Sequence, residues 1–556
     1  MLEKVWDKKA TLSIILFLGF TSCIFAPLEL YALNRSELWF ALSDIWYIPL
    51  ACGVAAMAAG FIFAMLLNGK LLRIYQGLLF GFGLCIYIQG NFLSIKLGAM
   101  SGETIEWGDY TIRMVLDLLI WVLIIAVSVV CRYRDTKYSE KVMTAASLFL
   151  TSVQIVTLIV LLVPCIGDNK TSPFGYPTEK DVMALSPEQN VIVFVLDRYD
   201  ETYFIDLLAE KPEYKDKLDG FTYFTNMVGE YPATCWAIPY MLSGEYCLQG
   251  DAAAWKDSSC EGDVYWDELI DNGYEISVYS EVGDVPSRVG ENSINFVKAD
   301  YRIANHKLFT GLLYRFVMCK YFPDIVKPIV WLDGYEFDDR KILDSEYREW
   351  YVRNLALSDI LAKEDVTADK DDPQFKFIHI GGTHEPRNID TEGNRTEGVS
   401  DIKTCAEGSL NIVLKYMDEM KELGIYDSSA IIITADHGAR SYTTPSIPIF
   451  LVKPIGARGT MAENAAPVSH RDLGATILDL TDMNLDVGQY GTSALDVKEG
   501  DERERICYRH MEDGAGVNGT PYYKLIQYTA DSEDNAPEDF HETGIEYNMQ
   551  GDIITN

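Results

Sequence analysis

Apolar residues follow two different rhythms along the chain. In the first third they form long unbroken runs near residues 11–28, 47–67, 72–95, 114–131 and 143–164, each close to the ~20 residues a helix needs to cross hydrocarbon. After a linker carrying Pro173, Gly175 and Pro177, the runs shorten and become β-branched, as at 191–196, 275–279, 375–380, 430–434 and 447–452. Short continuous runs of this kind predict strands buried on both faces of a parallel sheet. Between them lie stretches of helical period at 347–362, 410–423 and 472–480, the second with Leu410, Val413, Tyr416, Met417 and Met420 on one face. Strand and helix in alternation mean α/β. From about Arg503 the pattern changes again, and 506–508 and 522–528 predict antiparallel strands joined by the Gly/Asn-rich 514–519. The chain therefore reads as a membrane domain of five helices (1–167), a linker (168–188), an α/β domain (189–495) and a small β-rich C-terminal subdomain (496–556).

Charge sharpens this division. The 556 residues carry a formal charge of −35, but residues 1–167 hold 12 Lys/Arg against 11 Asp/Glu, so the whole deficit lies in the remainder. A surface this acidic repels phosphate backbones, which disfavours nucleic acid as a partner, while 12% aromatic content argues against a disordered acidic tail. Nine basic residues, Lys4, Lys8, Lys9, Lys70, Arg73, Arg132, Arg134, Lys137 and Lys141, fall on one side of the five crossings. Three, Arg35, Lys96 and Arg113, fall on the other. That imbalance predicts a multi-pass plasma-membrane protein with a cytoplasmic N-terminus and an extracytoplasmic second part. Glu3 and Asp7 among the first lysines are unlike a cleaved signal peptide. Asp117 in the fourth helix is expected to pair with Arg113, one turn away.

Five of the eleven cysteines fall in or beside the membrane helices, where they serve as small apolar residues. The other six lie in the second part, where Cys247 and Cys260 are the favoured disulfide pair. No CxxC spacing occurs, so a structural zinc site is not expected.

All seven histidines lie in the second part, and ligands of open α/β sheets collect beyond the carboxyl ends of strands. Asp197, His384, Asp436 and His437 all fall at or just past predicted strand ends. In Asp436-His437-Gly438 the adjacent carboxylate and imidazole can both reach one cation. His379 lies inside a strand and reads as a buried structural residue, whereas His384 follows it on the Gly-rich loop 381–386. Thr234 stands where a short helix begins, its hydroxyl able to cap that helix or, beside a cation, to act as a nucleophile. Its neighbour Cys235 reads as packing. Trp236 and Tyr240 fit either a substrate pocket or the core, and His470, at the start of a helix, fits a structural or a substrate-binding role.

The ordered set of 190–197, Pro232-Ala233-Thr234 continuing through 238–244, Gly382-Thr383-His384-Glu385-Pro386, Ala435-Asp436-His437-Gly438 and 469–480 resembles the alkaline-phosphatase/sulfatase superfamily. With five helices in front, it resembles the membrane-anchored branch that includes lipoteichoic acid synthases and lipid A phosphoethanolamine transferases. The resemblance implies an α/β three-layer sandwich around a mostly parallel central sheet. It implies one divalent cation, Mn²⁺ or Zn²⁺, on Asp197, Thr234, Asp436 and His437, with Thr234 the nucleophile and His384 contacting the substrate phosphate or exchanging a proton with the leaving group. The implied reaction moves glycerol phosphate or ethanolamine phosphate from a phospholipid to a surface glycan or glycolipid through a phospho-threonine.

Three departures bear on that reading. Asp197 stands where the transferase branch usually has Glu. Ile380 replaces the Asp that two-metal members carry four residues before His384, and no His occurs in 438–448, so a single cation is favoured. A sulfatase would need x-Pro-x-Arg after its modified residue, whereas Trp236-Ala237-Ile238 follows Cys235. The alternatives are an extracytoplasmic phosphodiesterase or sulfatase-type hydrolase on the same fold and, from another class, an inactive receptor for surface glycans.

Overall fold

The computed structural model describes every residue except Met1, Glu37, Lys96, 98–104, 135–137, Asn169, 333–334, 440–446, Asp482, Asn484, 516–520, 532–538 and 555–556. It separates into two compact units. One comprises Met1–Thr171 and Asp300–Asp344, the other Ser172–Ala299 and Ser345–Asn556. The assignment of Asp300–Asp344 departs from the sequence reading, which put this stretch inside the α/β domain.

In the first unit the five apolar runs form helices long and apolar enough to cross a membrane, Lys9–Leu33, Leu42–Met65, Gly69–Leu93, Trp107–Arg134 and Tyr138–Cys165. Some of their buried polar groups are matched to one another, as the absence of competing water favours. Arg132 donates from Nε to Gln76 Oε1 at 2.7 Å, and Gln76 Nε2 donates to Thr11 at 2.7 Å. The helix His306–Tyr321 packs its Phe309, Leu312, Leu313, Phe316 and Val317 into the same apolar cluster as Leu28, Tyr31, Phe40 and Trp121. Buried Glu29 accepts from Lys320 Nζ at 2.7 Å and from the Tyr321 hydroxyl at 2.9 Å. Asp117 does not take the partner expected of it. Its Oδ2 accepts the backbone N–H of Asp324 at 2.8 Å, while Arg113 Nε stands 3.9 Å from Asp324 Oδ2. A local pairing rule could not foresee this, because the partner lies 207 residues away.

The second unit is built on a seven-stranded sheet. In chain order its strands are β1 (Asn190–Leu196), β2 (Thr222–Val228), β3 (Glu275–Tyr279), β4 (Gln374–Ile380), β5 (Ser429–Thr434), β6 (Phe450–Lys453) and β7 (Ala462–Ser469). Their spatial order is β7-β2-β6-β5-β1-β4-β3. β1 runs parallel to β4 and β5, β3 to β4, and β7 to β2; β6 alone is antiparallel to both neighbours. Every residue of β1, β4 and β5 is buried, as their unbroken apolar runs require.

One face is covered by α1 (Glu201–Glu210), α4 (Asn354–Leu361) and α5 (Ile402–Leu423), whose Phe204, Leu357, Leu410 and Met417 meet Ile192 and Phe194 of β1. Against the other lie α2 (Thr234–Ser243), α3 (Tyr265–Asp271) and α6 (Leu473–Asp479), contributing Ile238, Trp266 and Ile477 to Val191 and Val193. This is the three-layer sandwich the sequence implied. The tail adds a four-stranded antiparallel sheet, β8 (Arg505–Ala515), β9 (Pro521–Ala530), β10 (Phe540–Tyr547) and β11 (Ile553–Ile554).

Cys247 and Cys260 do not form the expected disulfide. Cys247 packs with Tyr231 and Trp236, and Cys260 with the apolar cluster under β3. Each is fully inside a different cluster, so their side chains face different cores.

Candidate metal centre at the strand ends

Asp197 is the residue after β1, Asp436 and His437 follow β5, and His379 is the penultimate residue of β4. Because β1 is hydrogen-bonded to both β4 and β5 in parallel register, with Val195 opposite both His379 and Thr434, these four side chains reach one point at the carboxyl edge of the sheet. His379, Asp197 and Asp436 each offer a ligand atom within 4.8 Å of the others. All three are buried.

Hydrogen bonds fix the imidazoles. His437 Nδ1 donates to the Gly438 carbonyl at 2.7 Å, so Nε2 carries the lone pair that a metal ligand needs. That atom stands 3.8 Å from Asp197 Oδ1 and 3.7 Å from Asp436 Oδ2, too long for direct hydrogen bonds. A lone pair facing two carboxylates is repulsive unless positive charge lies between them. Ligands bound at about 2.0–2.2 Å to one cation stand about 3.5 Å apart, so the set fits a divalent ion with mixed oxygen and nitrogen ligands. His379 is fixed through Nδ1, 3.0 Å from Ser280 Oγ. Its Nε2 is buried without a hydrogen-bond partner among the described residues and lies 3.9 Å from Asp197 Oδ2.

Burial pushes the His379 imidazole down to about 4, keeping it neutral and able to ligate. Burial works to raise the Asp436 carboxyl, yet His437, His379, the Arg198 N–H and the Thr234 hydroxyl together hold it below the usual carboxylate range. Asp436 Oδ1 accepts the N–H of Arg198 at 3.0 Å and of His437 at 2.8 Å. Arg198 adopts φ +59°, a left-handed backbone rare for side-chain-bearing residues; the strain aims its N–H at Asp436. Gly382 lies at φ +50°, and a Cβ there would stand 2.2 Å from the Asp197 carbonyl oxygen. Only glycine lets the loop after β4 pass so close to the strand end.

Thr234 is the first residue of α2, and the N-cap is Ala233, so the Thr234 side chain does not cap the helix. Its hydroxyl lies near enough to Asp436 to help lower that carboxyl. His384 is half-buried on the loop after β4, near enough to His379 to act on its charge. His384 Nδ1 donates to the Glu385 carbonyl at 2.8 Å, leaving Nε2 to carry or release a proton.

The remaining sequence candidates sit deeper. Trp236 is buried with its indole N–H on the Gln249 carbonyl at 3.0 Å, and Tyr240 is buried against Tyr231 and Tyr246. Both rings are committed to the cluster that includes Tyr231, Trp255, Tyr508 and Tyr547. His470 is also buried, 3.4 Å from Thr434 Oγ1 and 3.8 Å from Glu230 Oε2, behind the cation-facing groups. His379 is the site residue that sequence reasoning left out. Its position just before the end of β4, level with the last residues of β1, is the signal that marks it.

No protein-family model matches the chain, and no curated protein sequence does. Solved structures do match. The chain is similar to a protein in the alkaline phosphatase superfamily from Vibrio parahaemolyticus, at 13% identity and a TM-score of 0.39 over 70% of this chain and 86% of that one. It is similar to the putative sulfatase yidJ from Bacteroides fragilis, at 14% identity and a TM-score of 0.39 over 63% and 87%. It is also similar to the C-terminal periplasmic domain of EcEptC from Escherichia coli, in complex with Zn, at 13% identity and a TM-score of 0.34 over 60% and 92%.

Proposed function

We propose that this chain is a membrane-anchored, metal-dependent phosphotransferase of the alkaline-phosphatase/sulfatase superfamily. Its site faces the extracytoplasmic side. It moves a phospho-substituent, glycerol phosphate or ethanolamine phosphate, from a phospholipid to a surface glycan or glycolipid. The observation that carries this reading is the meeting of Asp197, Asp436 and His437 Nε2 at the strand ends, with the Thr234 hydroxyl near the Asp436 carboxylate.

One divalent cation, Mn²⁺ or Zn²⁺, held by Asp197, Asp436, His437 and Thr234, supplies Lewis-acid stabilisation and lowers the pKa of the threonine hydroxyl. In the first displacement Thr234 Oγ bonds to the donor phosphorus as the P–O bond to diacylglycerol breaks. The hydroxyl proton of Thr234 leaves to solvent, and His384 Nε2 gives a proton to the departing alkoxide. In the second, an acceptor hydroxyl bonds to phosphorus and passes its proton to His384, the Thr234 Oγ–P bond breaks, and the freed Thr234 oxygen takes back a proton from solvent. Orientation and charge neutralisation account for most of the rate in such in-line transfers.

The five apolar helices support a lipid donor, since they hold the chain in the surface where phospholipid is concentrated. Mass spectrometry of the full-length protein from membranes containing donor lipid tests the reading. A phospho-adduct on Thr234, absent from Thr234→Ala together with turnover, is expected. An unmodified Thr234 with an active Thr234→Ala variant would overturn it. With a single defined lipid present, the adduct mass names the substituent, and release of free product in the absence of acceptor would mark a hydrolase.

A further inference from the structure

The turn His470–Asp472 has two sides. His470 points back to Thr434 and Glu230, whereas Arg471 enters a separate cavity of about 270 Å³ lined by Tyr246, Ser469, Thr492, Arg503 and Arg505 as well. Three arginines line it, in a chain whose charge is −35. Arg503 is matched, since it forks onto Asp472 at 2.6 and 2.8 Å. Arg505 is also committed, with Nη1 donating to the Asn226 carbonyl and side chain, both at 2.7 Å. Arg471 is exposed, lies 5.8 Å from the Tyr246 ring and pairs with no carboxylate among the described residues. Its own backbone N–H is fixed on Glu230 Oε1 at 3.0 Å, so the main chain that carries the guanidinium is held in place. The acidic residues of the wall are Asp472, neutralised by Arg503, and exposed Glu504.

We propose that this cavity is a second anion subsite that receives the phosphate group of an organophosphate through Arg471, with Thr492 as a hydroxyl donor. Because the turn that carries Arg471 also carries His470 against β5, the bound group is held at a fixed offset from the metal centre. That the phosphate belongs to a substrate rests on the phosphotransfer reading; that the cavity binds phosphate does not.

The test uses full-length protein in detergent, stripped of metal, and isothermal titration with inorganic phosphate. Binding is expected to weaken about 10-fold or more in Arg471→Gln, to be partly kept in Arg471→Lys, and to be unchanged in Asp436→Asn. Equal affinity in wild type and Arg471→Gln, absence of binding in wild type, or loss in Asp436→Asn alone would each overturn the subsite. Displacement of phosphate by soluble glycerol 1-phosphate but not by vesicles assigns the site to a water-soluble organophosphate, and displacement by phosphatidylglycerol vesicles assigns it to the lipid donor. Displacement by neither overturns the organophosphate assignment. These outcomes do not depend on turnover, so failure of the Thr234 adduct experiment leaves them readable.

Discussion

His379 Nε2 faces Asp197 Oδ2 across 3.9 Å with no hydrogen bond between them, although both groups are buried. A neutral imidazole held by Ser280 and aimed at a carboxylate makes sense as part of a cation's surroundings. Replacing it with Gln keeps the volume but changes the reach. His379→Gln is expected to weaken metal affinity by about 10- to 100-fold, measured by chelator competition with circular dichroism as the folding control. Unchanged affinity would reduce His379 to a packing residue.

Removing the cation should loosen the whole second unit. Two buried carboxylates then face each other and His437 without compensation, and a ligand that binds only the folded state stabilises it in proportion to RT ln(1 + [L]/Kd). Thermal melting of the solubilised protein is expected to drop on adding chelator and to recover with Mn²⁺ or Zn²⁺. Asp436→Asn should be insensitive to both additions.

Gly382 sets the approach of the His384 loop to Asp197. In Gly382→Ala the new Cβ collides with the Asp197 carbonyl, and its cost falls on position more than on folding. A shift of about 1 Å in a catalytic group costs about 100-fold in rate. Turnover should therefore fall far more than the melting temperature does, and a variant with normal turnover would refute the close-approach argument.

Glu230 gives the protein a pH signature. Burial raises its carboxyl to about 7, against 4.5 for an ordinary glutamate. Between these values the folded state binds more protons than the unfolded state, so stability falls as pH rises through the window. The shift corresponds to on the order of 3 kcal/mol. Melting temperature should decline from about pH 5 to pH 7.5 in the wild type, and Glu230→Gln should flatten that part of the curve.

In the membrane unit, Gly90 lies under the Tyr321 ring, where a Cβ would stand 2.2 Å from the ring edge. The ring cannot swing away easily because its hydroxyl is bonded to Glu29. Gly90→Val should overpack this contact and cost about 1–3 kcal/mol. Tyr321→Ala in the same background should recover part of the loss in a melting experiment.

The five membrane helices and strands β1, β3, β4 and β5 were legible because each is an unbroken apolar run of characteristic length. β2 was not, since Thr222, Thr225 and Asn226 interrupt it, and Asn226 is buried only because Arg505 from the tail bonds to it. β7 was hidden by Glu463, Asn464 and Pro467. It is an edge strand whose register shifts between Asn464 and Pro467, where such residues are tolerated. The expected helix over 347–362 shrinks to Asn354–Leu361, because Glu349 and Trp350 are held by backbone bonds to Thr178 and Pro177. Tertiary contacts won over period. Of the site, Asp197, Asp436 and His437 were readable from strand ends. His379 was not, because an in-strand histidine looks structural until the neighbouring strand shows which group it faces.

The stretch Asp300–Asp344 leaves the α/β unit and returns to it almost at one point, since Asp344 N–H bonds to the Asp300 carbonyl at 2.9 Å and Tyr301–Ile303 pairs with Lys341–Leu343. It is topologically a cassette. A water-soluble fragment cut at Ser172 would carry its apolar helix without the membrane helices that cover it and would aggregate. Joining Ala299 to Ser345 through a few small residues should yield an α/β body that stays in solution.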